Sequence, residues 1–327
     1  MMDRRTFVGA MGAGLIAAPL AAGAQTATTV RRIGILYGRG PVSQAELQQE
    51  DVDLRAVGWV EGQNLLVERR YANSKAELFR PLAEELVRLK VEIIVVEGTA
   101  ATLAAKSATT TIPIIMADAG DPVGSGLVAS LARPGGNITG FTTVGPEVDA
   151  KRVGLLRELL PGLQRVGVLV NPTNPYFRTG RKDFEQACRS ISIQPIIIEV
   201  SAAGELENSI AELARRRAQA LFLLRDHLIF DNAVQITSAA VRYALPTLAA
   251  DKVILEAGAL VSYGNSQAEQ NRRSAGYIDR VLRGAKPADL PIEQPTKFEL
   301  GVNLKTAKAL GITIPQPLLL RADVVIQ

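Results

Sequence analysis

The chain has 327 residues, 47% of them hydrophobic and 21% charged, with 37 Lys and Arg against 33 Asp and Glu. That length suits about two domains, and the balance is that of a globular chain, which excludes a disordered segment, a coiled coil or a collagen-like repeat. One cysteine (Cys188) and one histidine (His227) exclude a disulfide scaffold and structural zinc, and a net charge of +4 spread along the chain gives no electrostatic argument for a nucleic-acid partner.

Residues 1–24 read as an export address. Arg4 and Arg5 precede a Gly/Ala-rich stretch from Phe7 to Ala22, and Ala22-Gly23-Ala24 is a small-residue cleavage site that leaves Gln25 as the new N-terminus. The arginine pair points to the twin-arginine route. The rival reading, an uncleaved anchor, meets a stretch that is short and glycine-rich for a span. A partial glycine fingerprint at Gly9, Gly12 and Gly14 has no strand before it and is discarded as a dinucleotide site. Export without an anchor or disulfides implies a bacterial periplasm.

Apolar runs then alternate with amphipathic segments. Strands are expected at 32–37, 64–70, 92–96, 112–116 and 138–142, and helices at 43–57, 75–90, 100–109 and 123–132. The helix at 75–90 carries Leu78, Leu82, Leu86 and Leu89 on one face. A second series has helices at 147–160, 175–190, 205–217 and 229–243. Its strands are expected at 165–170, 194–200, 220–224, 247–249 and 260–263. Near-continuous apolar strands between amphipathic helices mean parallel sheets covered on both faces. The expected fold class is α/β, with two doubly wound lobes joined by a multi-strand hinge. A helix at 267–283, an extended stretch at 289–298, a short helix at 303–310 and an apolar run at 318–320 return to those lobes. Lobe I takes 30–143 plus 265–288 and lobe II takes 147–263 plus 290–327. The hinge segments fall near 143–147, 263–266 and 288–291.

Familiar catalytic motifs are missing: there is no GxxxxGK[ST], no G-x-S-x-G and no H-E-x-x-H. Histidine-based catalysis would have to run through His227, but a loop histidine beside an Asp is more often a surface or cleft-lining residue than a base. Cys188 reads as buried helix packing. Ligands of open α/β sheets sit at loops after strand C-termini, and those loops supply the candidates. Tyr37 and Gly38 follow the first strand. Gly98, Thr99 and Ala100 follow the third and open a helix. Their N–H groups and the Thr99 hydroxyl suit a carboxylate or other anion, or form an ordinary N-cap. Asp118 and Asp121 follow the fourth strand. They read as a carboxylate pair or, for Asp121 before Pro122, as a helix cap. Asn171 and Asn174 offer two amides that turn chemistry also explains. Asp226 reads as counter-ion to a ligand ammonium or as a solvated loop acid. Tyr263 ends the last lobe-II strand and offers a stacking wall.

Several stretches together resemble one family. They are 58–64 (GWVEGQN), 86–91 (LVRLKV), 121–124 (DPVG), 131–137 (LARPGGN), 262–264 (SYG), 284–291 (GAKPADLP), 293–299 (EQPTKFE) and 303–307 (NLKTA). Spread over nearly the whole mature chain, they resemble the ABC transporter substrate-binding proteins of the tryptophan/tyrosine type, which have the type I periplasmic binding fold. Two places depart from the family pattern: His227 stands where a proline usually follows the lobe-II Asp, and 248–253 (LAADKV) replaces a more aromatic segment. The resemblance implies a periplasmic solute-binding component of an ABC importer, without catalysis, cofactor or metal. Its ligand would be a small organic solute, an amino acid or carboxylate, gripped between the lobes. Its partners would be an ABC permease and its ATPase. An exported ligand sensor presenting to a membrane receptor is the alternative, and an exported α/β enzyme using His227 or a perturbed carboxylate is a further one.

Overall fold

The computed structural model describes residues 30–143 and 146–327, so the export address and its cleavage site lie outside the described residues. The first five strands are β1 (Arg31–Tyr37), β2 (Leu65–Tyr71), β3 (Ile93–Glu97), β4 (Ile114–Ala119) and β5 (Ile138–Thr142). Next come β6 (Arg165–Val170), β7 (Gln194–Glu199), β8 (Ala220–Leu223), β9 (Thr247–Ala249) and β10 (Val261–Asn265). The C-terminal part adds β11 (Ile292–Glu293), β12 (Phe298–Asn303) and β13 (Val324–Ile326). They form a six-stranded sheet in the order β11-β5-β4-β3-β1-β2 and a seven-stranded sheet in the order β13-β12-β10-β9-β8-β6-β7. The first sheet is parallel throughout, and in the second only the β10–β12 pairing is antiparallel.

Both faces of each sheet are covered, as the unbroken apolar strands require. Leu36, Ile94, Val96 and Met116 on one face of the first sheet pack against the helices Ala76–Arg88 and Thr99–Ala108 through Phe79, Leu86, Ala101 and Ala105. Ile33, Ile35, Val95 and Ile115 on the other meet Leu54 of the helix Gln44–Ala56, and Tyr277, Ile278 and Val281 of the helix Gln267–Leu282. The second sheet is sandwiched likewise, with Phe184 and Phe222 at the centre of one face and Leu221, Ile210 and Ile236 on the other. Cys188 is wholly buried in that core, and burial raises its thiol to about 12.

The chain passes between the sheets after β5, after β10 and after β11. The last passage corrects an expectation. Residues from 290 onward are not all in the second lobe, because Ile292 and Glu293 pair with Gly140 and Phe141 on the edge of the first sheet. The third crossing therefore falls at 294–297. A second correction concerns the helix expected at 123–132, where the chain forms turns instead. Gly124 and Gly126 weaken a helix there, Pro134 closes its far side, and Asp121 turns the chain at φ 39°. Leu127 and Val128 still reach the core. The strand β13 carries only three residues, paired along β12, and is too short for a periodic signal.

Candidate functional site

Loops from the C-terminal ends of both sheets face each other across a cleft. They line a cavity of about 50 Å³ that is partly open to solvent. The first lobe lines it with Ser74, Ala76, Phe79, Gly98, Thr99, Ala100, Asp118, Gly120 and Thr143. The second lobe supplies Asn171, Thr173, Asn174, Tyr176, Arg225, Asp226, His227, Leu228 and Phe230.

On the first lobe, Gly98 caps the helix Thr99–Ala108 at φ 82° and ψ 158°, a conformation that needs glycine. Its N–H donates to the Asp118 carbonyl at 3.0 Å and to Asp118 Oδ1 at 2.7 Å, which locks the turn after β3 to the end of β4. The Thr99 hydroxyl does not point at an anion. It donates to the Gly120 carbonyl at 3.2 Å and accepts from the Gly120 N–H at 3.0 Å. What this end offers a ligand is therefore backbone: the first N–H groups of a helix have no partner within it, and they carry the positive end of its dipole.

On the second lobe, Asp226 caps the short helix His227–Asp231, with Oδ1 accepting from the Leu228 N–H at 2.8 Å. Asn171 and Asn174 donate their side-chain amides to the same carboxylate at 3.2 Å and 2.8 Å. Their own carbonyl oxygens accept from Thr173 and Tyr176, so both asparagines act as turn builders and carboxylate clamps together. Among the described residues no Lys or Arg pairs with Asp226, and its negative charge faces the cavity uncompensated.

Beside it the charges are paired. Arg225 reaches across the cleft to Asp118 Oδ2 at 3.1 Å and within its own lobe to Asp251 Oδ1 at 2.9 Å and Asn265 Oδ1 at 3.0 Å. Burial alone would lower the Arg225 guanidinium, but Asp251 and Asp118 outweigh it and hold it firmly charged. Burial pushes Asp251 up, against the pull of Arg225. Burial raises Glu97 as well, against the pull of Arg39, which donates to it at 3.2 Å. This charged group borders a second interlobe cavity of about 340 Å³. Asp231 adds another bridge between the lobes, accepting from the Gly40 N–H at 3.1 Å and the Ser74 hydroxyl at 2.5 Å. The lobes are thus in contact, and the cleft is closed. Among the described residues no group of His, Cys, Asp and Glu side chains could hold a metal ion.

Of the residues singled out from sequence, Gly98, Thr99, Ala100, Asp118, Asn171, Asn174 and Asp226 lie together on the cavity wall. Others are elsewhere. Tyr37 is buried behind the cleft, its ring stacked on Tyr71 at 5.0 Å and its hydroxyl donating to Glu50 at 2.5 Å. Gly38 lies off the cavity wall, against the His227 ring, and its carbonyl accepts from the Ser74 N–H at 2.9 Å. Asp121 caps a turn through the Gly124 N–H at 2.8 Å and opens no helix. Tyr263 stacks on Phe298 at 5.7 Å in the core of the second lobe, so it is no wall of the cleft. The strand-end rule picked Asp226 and passed over its neighbour Arg225, which the same rule covers. Phe79, Tyr176 and Phe230 were indistinguishable in sequence from core aromatics.

The profile of the family described as "ABC transporter substrate binding protein" matches residues 49–326. A curated protein of Clostridioides difficile (strain R20291), named "Tyrosine-binding protein", is 26% identical over 255 residues, which is 78% of this chain and 73% of that protein. A solved structure of an ABC domain from Streptococcus pneumonia in complex with L-Trp is 25% identical. It superposes with a TM-score of 0.82 over 91% of this chain and 100% of its own. A conserved domain protein from Vibrio cholerae o1 biovar eltor, also 25% identical, reaches a TM-score of 0.84 over the same shares of the two chains.

Proposed function

The chain belongs to the ABC transporter substrate-binding protein family and has the type I periplasmic binding fold, and from that premise we propose that it captures an amino acid or a related carboxylate between its lobes for an ABC importer. The observation that carries this reading is the pairing, on one cavity, of a helix N-terminus at Gly98 with the uncompensated carboxylate of Asp226. A zwitterion complements both: its carboxylate takes the N–H groups that open the helix Thr99–Ala108, and its ammonium takes Asp226. The relatives named for tyrosine and bound to L-Trp support the amino-acid class. Because ligand atoms must touch both lobes at once, binding favours the closed form, and the population follows the ligand.

The expected location is the periplasm, and the expected partners are a permease and its ATPase, which would read the closed form. Among the described residues no helix is long and apolar enough to cross a membrane. No chemical step is assigned to His227, whose ring is packed against the backbone of the opposite lobe.

Calorimetric titration of ligand-stripped protein with amino acids, and with carboxylates that lack the amino group, tests the reading. At least one amino acid should bind. Asp226→Asn should weaken it about tenfold or more, a loss of about 1.4 kcal/mol, and should change the binding of simple carboxylates less. An Asp226→Asn variant with unchanged amino-acid affinity would remove the counter-ion role.

A further inference from the structure

We propose that the first lobe carries a second ligand site, away from the interlobe cleft, that takes a small primary amine with an apolar body. The site is a cavity, partly open to solvent, between the helices Gln44–Ala56 and Gln267–Leu282 and the strands β1, β3 and β4. All its walls belong to the first lobe, and none of its lining residues lines the cavity at Asp226.

Glu46, Glu50 and Asp53 recur at the spacing of one helix face, and all three line this cavity. Along that face the compensating cations run out. Glu46 holds Arg39 at 2.8 Å, and Glu50 holds Arg69 at 2.6 Å. Asp53 is the most buried of the three, at 5% exposed, and among the described residues no Lys or Arg pairs with it. Its Oδ1 accepts from the Gln49 side-chain amide at 3.0 Å, while its Oδ2 is buried without a hydrogen-bond partner. From the other helix Ser274 lines the same cavity at 8% exposed, and its hydroxyl is also buried without a partner. Buried polar groups are ordinarily hydrogen-bonded, and a buried carboxylate is ordinarily paired with a cation. Here two leftover oxygens, one of them on a carboxylate, border a single opening, and the group that answers both is a cationic donor. A primary ammonium has N–H groups enough for Asp53 and the Ser274 hydroxyl together. The rest of the wall is apolar, since Ile35, Leu54, Val95, Ala275 and Ile278 belong to the core cluster of this lobe. An ordered water would answer the hydrogen bonds but leave the Asp53 charge uncompensated and the apolar wall uncovered.

The test titrates the protein with propylammonium chloride, with propanol and sodium propanoate as its neutral and anionic counterparts, and with ammonium and potassium chloride as bare cations, at constant ionic strength. Backbone amide shifts in heteronuclear NMR spectra locate the solute. Propylammonium should shift the Asp53 and Ser274 amides saturably, and propanol and propanoate should bind there about tenfold more weakly or worse. Asp53→Asn should weaken propylammonium about tenfold or more and Ser274→Ala about threefold, the difference between losing a charged and a neutral partner. Should Asp53→Asn fold poorly, Ser274→Ala carries the test, because a serine with no part in binding leaves the affinity unchanged. Saturable shifts confined to Gly98 and Asp226 would put the amine between the lobes and overturn the proposal. Equally tight saturation by ammonium or potassium, an affinity unmoved in the variants, or no saturable shift at Asp53 and Ser274 with any of these solutes overturns it as well.

Discussion

Asp251 shows how a single side chain in this cleft carries a cost that geometry only partly offsets. Its Oδ1 holds Arg225 while its Oδ2 is buried without a hydrogen-bond partner. Burial lifts the carboxyl above its ordinary range. A raised carboxyl favours the protonated form in the fold, so its contribution to stability is full below the ordinary value and is lost as pH rises through the raised one. The charged group is thus unfavourable at neutral pH. Asp251→Asn removes the titration, so wild-type stability relative to that variant should rise as pH is lowered from 8 toward 5. Urea unfolding midpoints of the two proteins at each pH measure this, and a relative fall on acidification would contradict it. Residue-scale legibility was uneven for the same reason. Asp226 and the two asparagines stand out because strand-end loops are where open sheets bind ligands. Thr99 stands out equally, but its hydroxyl is taken by Gly120 across a turn no local pattern announces.

At the scale of elements, the helix Gln267–Leu282 and the short β11 complete a lobe whose other strands lie more than a hundred residues earlier. Tyr277 is 1% exposed, and its hydroxyl donates to the Pro291 carbonyl at 2.7 Å, which ties the helix to the strand that follows it. Tyr277, Ile278, Val281 and Leu282 each remove a large apolar side chain from water, worth roughly 1.5–3 kcal/mol apiece. That sum rivals the whole stability of an ordinary domain, about 5–15 kcal/mol. A fragment of residues 25–143 should therefore fail to fold, showing no cooperative thermal transition by circular dichroism, while residues 25–327 unfold cooperatively. A sharp transition in the short fragment would show that the first sheet does not need its returning helix. The helices with strong apolar periodicity were legible in sequence. The turn at 121–128 was not, because buried Leu127 and Val128 imitate a helix face while the glycines around them undo it.

For the whole molecule, the deciding quantity is the balance between open and closed lobes. Asp118 links the two: it anchors the Gly98 turn on its own lobe and receives Arg225 from the other. Asp118→Asn keeps an oxygen for the Gly98 N–H but removes the charge that draws Arg225 across, and Arg225 retains Asp251. The ligand-free protein should then open, with a larger radius of gyration by small-angle scattering. Apparent ligand affinity should fall about tenfold, since a ligand of the closed form binds in proportion to the competent fraction. An unchanged radius and affinity would show that the remaining bridges hold the lobes without this pair.

Strand and helix periods, glycines at turns and the absence of catalytic motifs are local properties, and from them the sequence alone determined the two-lobed α/β class. The family stretches narrowed that class to a solute binder of ABC transporters. Which loops meet is not local. The partners Arg225 and Asp118 are separated by a whole sheet and a hinge, as are Asp231 and Ser74, and His227 and Gly38. Only the folded chain decides their distances. Burial, which raises Asp251 and Glu97, likewise exists only in the folded chain.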